Sequence, residues 1–184
     1  MVQYWYNVEF KIVLQLLKEE SHVRSLARSL RESRSTVQRR LDHLFDESVL
    51  DYERKGRNKV FFVKKNLQAR NYVFNAERYK QMELLKKYPK LTVLAEDLLR
   101  RCRERLIVIF GSYAKFTAGK DSDIDVYVET DDEKVKEEAE LIHSKIKVKT
   151  GRFDPDSPLI KEIIRNHVIL RGVEDFYEKT RFLE

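Results

Sequence analysis

The chain has 184 residues, enough for one medium domain or two small ones, and its 42% apolar content suffices for real cores. No apolar run approaches the roughly 18 residues of a membrane span, Met1 is not followed by a basic-then-apolar leader, and the single cysteine, Cys102, excludes an internal disulfide framework and a cysteine-based zinc site. The expected location is therefore cytoplasmic. Charged residues make up 37% of the chain, against about 25% in an average domain, a Lys/Glu/Arg density that resembles thermophile usage. The formal net charge of +6 is uneven: residues 1–65 carry 14 Lys/Arg against 9 Asp/Glu, whereas residues 66–184 carry 23 against 22. A basic excess confined to the N-terminal third points to a polyanionic partner there.

In chain order, the first element is a helix with Val8, Ile12, Val13, Leu16 and Leu17 at helical spacing. Ser21 is the expected cap of a second, short helix that buries Val23, Leu26, Ala27 and Leu30. Ser35 is the expected cap of a third helix with Val37, Leu41, Leu44 and Phe45 inward and Thr36, Arg39, Arg40 and His43 on the opposite face. Two strand-like runs, Leu50–Glu53 and Val60–Val63, then flank the polar turn Lys55-Gly56-Arg57-Asn58. Three helices followed by a basic-tipped hairpin resemble the winged helix-turn-helix domains of prokaryotic transcription regulators. That resemblance implies a domain over residues 1–65 that binds double-stranded DNA, with the third helix in the major groove and the hairpin on the backbone. Arg39 and Arg40 would then contact bases or phosphates, and Lys55, Arg57 and Lys59 phosphates. A solvated basic face that docks protein instead is the other reading.

Residues 66–90 read as a helical connector. The run from Leu67 to Lys87 has no glycine, and its apolar positions (Val73, Phe74, Tyr79, Met82, Leu84, Leu85) nearly encircle the helix, as expected of one packed between domains. Tyr88-Pro89 breaks the pattern, and Leu91 to Arg103 resumes it. No Gly/Ser-rich tether is present, so the expected arrangement of the two domains is fairly fixed. Cys102, in the helical context RRCRER, reads as a bystander.

Residues 91–184 carry the chemistry. Leu106–Phe110 is a short β-branched run ended by Gly111, a buried strand. Asp123–Glu129 alternates, with Ile124, Val126 and Val128 on one face and Asp123, Asp125, Tyr127 and Glu129 on the other. Two carboxylates side by side on a strand cannot both ionise comfortably without a cation. The economical solution is a divalent metal, magnesium or manganese, whose hard-oxygen shell is completed by phosphate. Gly111 lets the backbone approach a ligand closely, a strand-to-helix turn offers free N–H groups to phosphate, and Ser112 adds a hydroxyl. SYAKFTA would be the short helix that follows, and Lys115 and Lys120 supply positive charge nearby.

Gly-Ser, ten intervening residues and Asp-x-Asp resemble the signature of the nucleotidyltransferase superfamily that includes DNA polymerase β, most closely its minimal prokaryotic branch. The downstream order is similar too: a helix near 131–143, the strand KIKVKT, a helix near 157–166 and then HVILRG. The resemblance implies an α+β fold with a mixed sheet flanked by helices. It also implies an NTP substrate such as ATP, a divalent metal, and transfer of a nucleotidyl group to a hydroxyl. Gly111 and Ser112 would hold the triphosphate, and Asp123 and Asp125 the metal. Family members that catalyse transfer place a third carboxylate on the next strand. Here that strand is Lys145–Thr150, and the position falls at Lys147 or Lys149; Asp154 and Asp156 lie just beyond it.

Two functions follow as expectations. One is a DNA-associated nucleotidyltransferase that modifies a protein or nucleic-acid hydroxyl, similar to antitoxins that add AMP to a HEPN-type toxin. The other is a transcription regulator that binds nucleotide with little or no turnover. The sequence leaves the oligomeric state open, a homodimer included.

Overall fold

In the N-terminal part, three helices precede a hairpin, and packing rather than propensity decides which faces turn inward. The computed structural model describes residues 2–181, and side chains from residue 7 onward. It divides into two compact units between Tyr79 and Lys80. Helix α1 (Val2–Leu16) buries Val8, Ile12, Val13 and Leu16, α2 (Val23–Leu30) buries Leu26 and Ala27, and α3 (Arg34–Asp46) buries Val37, Leu41 and Leu44. Strands β1 (Leu50–Lys55) and β2 (Asn58–Val63) pair antiparallel through the two-residue turn Gly56-Arg57. Gly56 has φ +64°, a conformation glycine adopts freely at the first position of such a turn.

Three expectations for this unit need correction. Ser21 does not cap α2; it pairs with Phe61 of β2 in a short antiparallel bridge, with N···O distances of 3.1 and 2.8 Å, and His22 stands at the cap without a side-chain bond. The cap of α3 is Ser33, which accepts from the Thr36 N–H at 3.0 Å, and Ser35 already lies inside the helix. Phe45 is exposed rather than buried, its ring 5.6 Å from that of Tyr52.

Helix α4 (Leu67–Lys87) has the predicted bounds. Its first part buries Ala69, Val73, Ala76 and Tyr79, with Tyr79 against Phe10 at 5.7 Å, whereas Met82 is exposed. Tyr88 caps α5 (Pro89–Arg101), and Pro89 occupies the first helical position, where its missing N–H costs nothing.

The second unit is built on a four-stranded mixed sheet of order β5-β4-β3-β6. Its strands are β3 (Ile107–Ile109), β4 (Ile124–Glu129), β5 (Ile146–Gly151) and β6 (Val168–Arg171). β3 pairs antiparallel with β4 and β6, and β4 pairs parallel with β5 through the crossover helix α7 (Glu133–Glu140). One face of the sheet (Ile107, Ile109, Ile124, Val126, Val128, Ile146, Val148) packs on Leu91, Ala95 and Leu98 of α5 and on Ala139 of α7. The opposite face is covered as well. Tyr127 is 1% exposed, its ring 6.2 Å from Phe153, which in turn meets Phe176 of α9 (Val173–Lys179) at 5.6 Å. Arg171, at the end of β6, donates to the carbonyls of Leu99 (2.7 Å), Cys102 (2.6 Å) and Glu104 (3.3 Å) and so satisfies the C-terminal end of α5. Among the described residues no helix is long and apolar enough to cross a membrane.

Candidate functional site

β3 ends at Ile109; the N–H of the next residue, Phe110, donates to the Asp125 carbonyl at 3.0 Å, and the chain turns at once into α6 (Gly111–Ala114). The predicted helix SYAKFTA is thus a single turn, closed by Phe116 at φ +58°. Gly111 sits at φ +66°, and a Cβ there would lie 2.1 Å from Oδ2 of Asp125. The glycine is therefore required twice, for its backbone angle and because the turn lies directly on the aspartate side chain. Ser112 is half-buried beside it, its carbonyl accepting the Thr117 N–H at 3.0 Å.

Asp125 is the half-buried second residue of β4, and Asp123, immediately before the strand, is exposed. Burial, then the charge of Asp123, then that of Glu162 push the Asp125 carboxyl above the ordinary range; the ammonium groups of Lys149 and Lys115 act in the opposite direction. Helix α8 (Pro158–Arg165), capped by Ser157, carries Glu162, whose Oε1 is 3.2 Å from Nζ of Lys115. Sequence reasoning missed Glu162. It is an exposed acid in an amphipathic helix, and nothing local marks it as meeting a lysine 47 residues back in the chain.

The two lysines of β5 also separate. Lys147 is registered against Asp125, but its ammonium donates to the Ser144 carbonyl at 3.3 Å, whereas the charge of Lys149 acts on Asp125. Asp154 and Asp156 are held in the turn before α8: Asp154 accepts from the Asp156 N–H at 3.0 Å, and Asp156 faces Lys161 at 3.8 Å. Lys120 lies in the exposed turn between Gly119 and Ser122; its carbonyl accepts from Lys145, and its own ammonium makes no ion pair among the described residues. Cys102 is 2% exposed, and burial raises its thiol pKa to about 11, as befits an unreactive packing residue.

In the first unit the predicted basic face comes apart. Arg40 is buried, 3.4 Å from the equally buried Glu9 of α1, because the spacing that turns Val37, Leu41 and Leu44 inward turns Arg40 inward too. His43 meets the same Glu9 oxygen at 3.2 Å, and Thr36 bonds Ser33 at 2.8 Å. Lys55 is paired with Glu20 at 3.0 Å. Arg39 is exposed and has no ion pair among the described residues. Arg57 and Lys59 instead line a groove of about 350 Å³ with His22, Arg24, Arg34 and Gln38. Arg24 and Arg34 stand in the first turns of α2 and α3, and the expected set did not include them.

These features define an α+β unit in which a glycine turn and a strand aspartate form one carboxylate-bearing site. A family model describing a nucleotidyltransferase domain matches residues 91–183, and the chain belongs to that family. No curated protein and no solved structure matches it. Domains of this family generally use an NTP and a divalent metal. The residues fit such an ion: Asp123 and Asp125 are hard-oxygen donors, and burial followed by the charge of Asp123 raises the Asp125 pKa, a repulsion that a cation relieves. Among the described residues no group of three His, Cys, Asp or Glu is gathered for a metal, so phosphate oxygens and water would complete the shell, as magnesium usually requires.

Proposed function

We propose that the second unit transfers NMP from an NTP, ATP in the first instance, to a hydroxyl of a protein or nucleic acid. The observation that carries the reading is the Gly111 backbone lying on the Asp125 carboxylate, which supports treating the Gly-Ser turn and the aspartates as one site. Gly111 and Ser112 hold the triphosphate, Lys115 adds positive charge, and Asp123 and Asp125 hold magnesium or manganese. The metal, when bound, offsets charge on the phosphates. The acceptor oxygen forms a bond to the α-phosphorus as its proton passes to a carboxylate, and the bond to pyrophosphate breaks. A second reading, a regulator that binds nucleotide without turnover, is favoured by Lys149, which stands where a third carboxylate is expected.

Incubating the full chain with labelled NTPs, magnesium or manganese, and candidate acceptors (a HEPN-type toxin, DNA, RNA) distinguishes the two. Covalent label that disappears in Asp123→Asn and Asp125→Asn supports transfer. Nucleotide binding without label supports the regulator, and no metal-dependent nucleotide binding overturns both.

We also infer that the first unit is a winged helix-turn-helix that binds duplex DNA. The groove lined by Arg24, Arg34, Arg57 and Lys59 supports this reading, and so does the Ser21–Phe61 bridge, which adds a third strand segment to the hairpin. Affinity should fall steeply with salt. Arg24→Ala and Arg34→Ala should each weaken binding and reduce the salt slope by about one. A sequence-independent anisotropy signal that neither change alters would refute the assignment.

A further inference from the structure

Just after the Gly-Ser turn the chain is held from outside. α6 is followed by Phe116, whose φ of +58° is disfavoured for any residue with a Cβ. Phe116 is nevertheless fixed there, because its N–H donates to the Tyr113 carbonyl at 2.9 Å and its carbonyl accepts from the Lys87 ammonium at 2.5 Å. That ammonium also lies 5.4 Å from the ring centroid of Tyr88 and 5.9 Å from that of Phe116. Tyr88 in turn meets the Tyr113 ring edge-on at 4.9 Å, and its hydroxyl donates to the Ala118 carbonyl at 3.5 Å. Two consecutive residues at the corner between α4 and α5 therefore grip residues 113–118 at Tyr113, Phe116 and Ala118. From inside that stretch the Lys115 and Thr117 N–H groups reach back to the carbonyls of Gly111 and Ser112, at 3.2 and 3.0 Å. A grip on 113–118 is thus a grip on the Gly-Ser turn.

Resting on the reading of Gly111 and Ser112 as the triphosphate-binding turn, we propose that Lys87 and Tyr88 are positioning residues for the nucleotide. Neither is assigned a contact with the ligand; both act through Tyr113 and Phe116. A strained backbone persists only where its surroundings over-determine it, and the bond from Lys87 supplies part of that constraint. Without the ammonium, Phe116 keeps a disfavoured angle with one bond fewer. It can then relax, and the turn can drift from the Asp125 carboxylate on which it lies. A turn already in place spends less of the nucleotide's binding free energy on ordering. The aspartates are secured separately. The N–H of Ile124, between them, donates to the Lys145 carbonyl at 2.7 Å, and the Asp125 carbonyl accepts from Phe110. Loosening the corner therefore weakens nucleotide binding and spares binding of the bare metal.

The test measures two affinities of the full chain: manganese alone, by electron paramagnetic resonance of the free ion, and a non-hydrolysable ATP analogue with magnesium, by calorimetry. Lys87 is exposed, so Lys87→Met should fold. It should bind the analogue about 10-fold more weakly, the order expected from losing one hydrogen bond from a charged group, and bind manganese alone unchanged. Lys87→Arg should restore most of the loss. Lys86→Met removes the same charge from the neighbouring exposed residue and should leave both affinities unchanged. Tyr88→Leu, which takes the ring from Tyr113, should act in the same sense as Lys87→Met. Either residue whose variant binds the analogue as Lys86→Met does is not part of the clamp, and a loss shared equally by manganese alone would mark general loosening and overturn the proposal. Asp125→Asn is the control for the underlying reading: metal-dependent analogue binding that survives it overturns the site and the clamp together. If Asp125→Asn abolishes that binding while Lys87→Met and Tyr88→Leu leave it intact, the site stands and the clamp alone is wrong.

Discussion

Gly111→Ala isolates the contact on which the site depends. The added methyl would start 2.1 Å from Oδ2 of Asp125, whereas non-bonded carbon and oxygen atoms rest more than about 3 Å apart, so the carboxylate must move by roughly 1 Å. The residue must also hold φ +66°, which costs an L-amino acid about 1–2 kcal/mol. The stability loss is survivable for a folded unit, but a displacement of roughly 1 Å in a reacting group typically costs about 100-fold in rate. The expected result is a folded variant with native far-UV circular dichroism, a modestly lower Tm, and magnesium-dependent NTP affinity reduced at least 10-fold by calorimetry. Ser112→Ala, which adds no atom near Asp125, should retain more binding. A Gly111→Ala protein that binds NTP as the unsubstituted chain does would refute the claim that the turn and the aspartate act as one site.

The aspartates also predict a pH dependence. Asp125 has its folded pKa raised above 3.8, so its contribution favours the folded state at low pH and is lost as pH rises from about 4 through the raised value. Thermal melts of metal-free protein should show that decline, and Asp125→Asn should flatten it and raise Tm at neutral pH. Arg40→Ala leaves Glu9 buried without its guanidinium partner and should destabilise the first unit by about 3–5 kcal/mol, whereas Arg39→Ala should stay within about 0.5 kcal/mol; equal denaturation midpoints for the two would contradict the burial of Arg40. Cys102 should react with a thiol reagent at pH 8 only after denaturation, and fast labelling of the native chain would show that the α5 end opens.

The parts of this fold legible in the sequence are those governed by local periodicity. Ile124, Val126 and Val128 alternate because both neighbours of β4 continue the same buried face, and the bounds of α4 follow from a glycine-free run stopped at Tyr88-Pro89. What stayed hidden depends on partners distant in the chain. Arg40 looked like a surface arginine because Glu9, its counter-charge, is on another helix. Ser21 looked like a cap because such a residue satisfies a helix end or a strand edge equally well, and only Phe61 decides between them. In the site, Gly111, Ser112 and the aspartates announce themselves by spacing. Glu162 does not, since its partner Lys115 lies far back in the chain, and the partners of Lys147 and Lys149 lie beyond the strand itself.

The strand order carries a consequence for synthesis. β3 is made first of the four and ends up inside the sheet, flanked by β4 and by β6, the last strand, through pairs such as Ile109 with Val168. While the chain is emerging, β4 can pair with β3 and β5 with β4, so the aspartates can reach their strand early, but the other edge of β3 stays open. An apolar Ile-Val-Ile edge is a template for pairing with a neighbouring chain, and during translation the neighbouring chain is often another copy from the same message. β6 closes that edge, and Arg171 at its end fastens to the carbonyls of Leu99, Cys102 and Glu104. A nascent chain stalled before residue 168 would thus expose an open apolar edge of β3, which pairing with β6 covers.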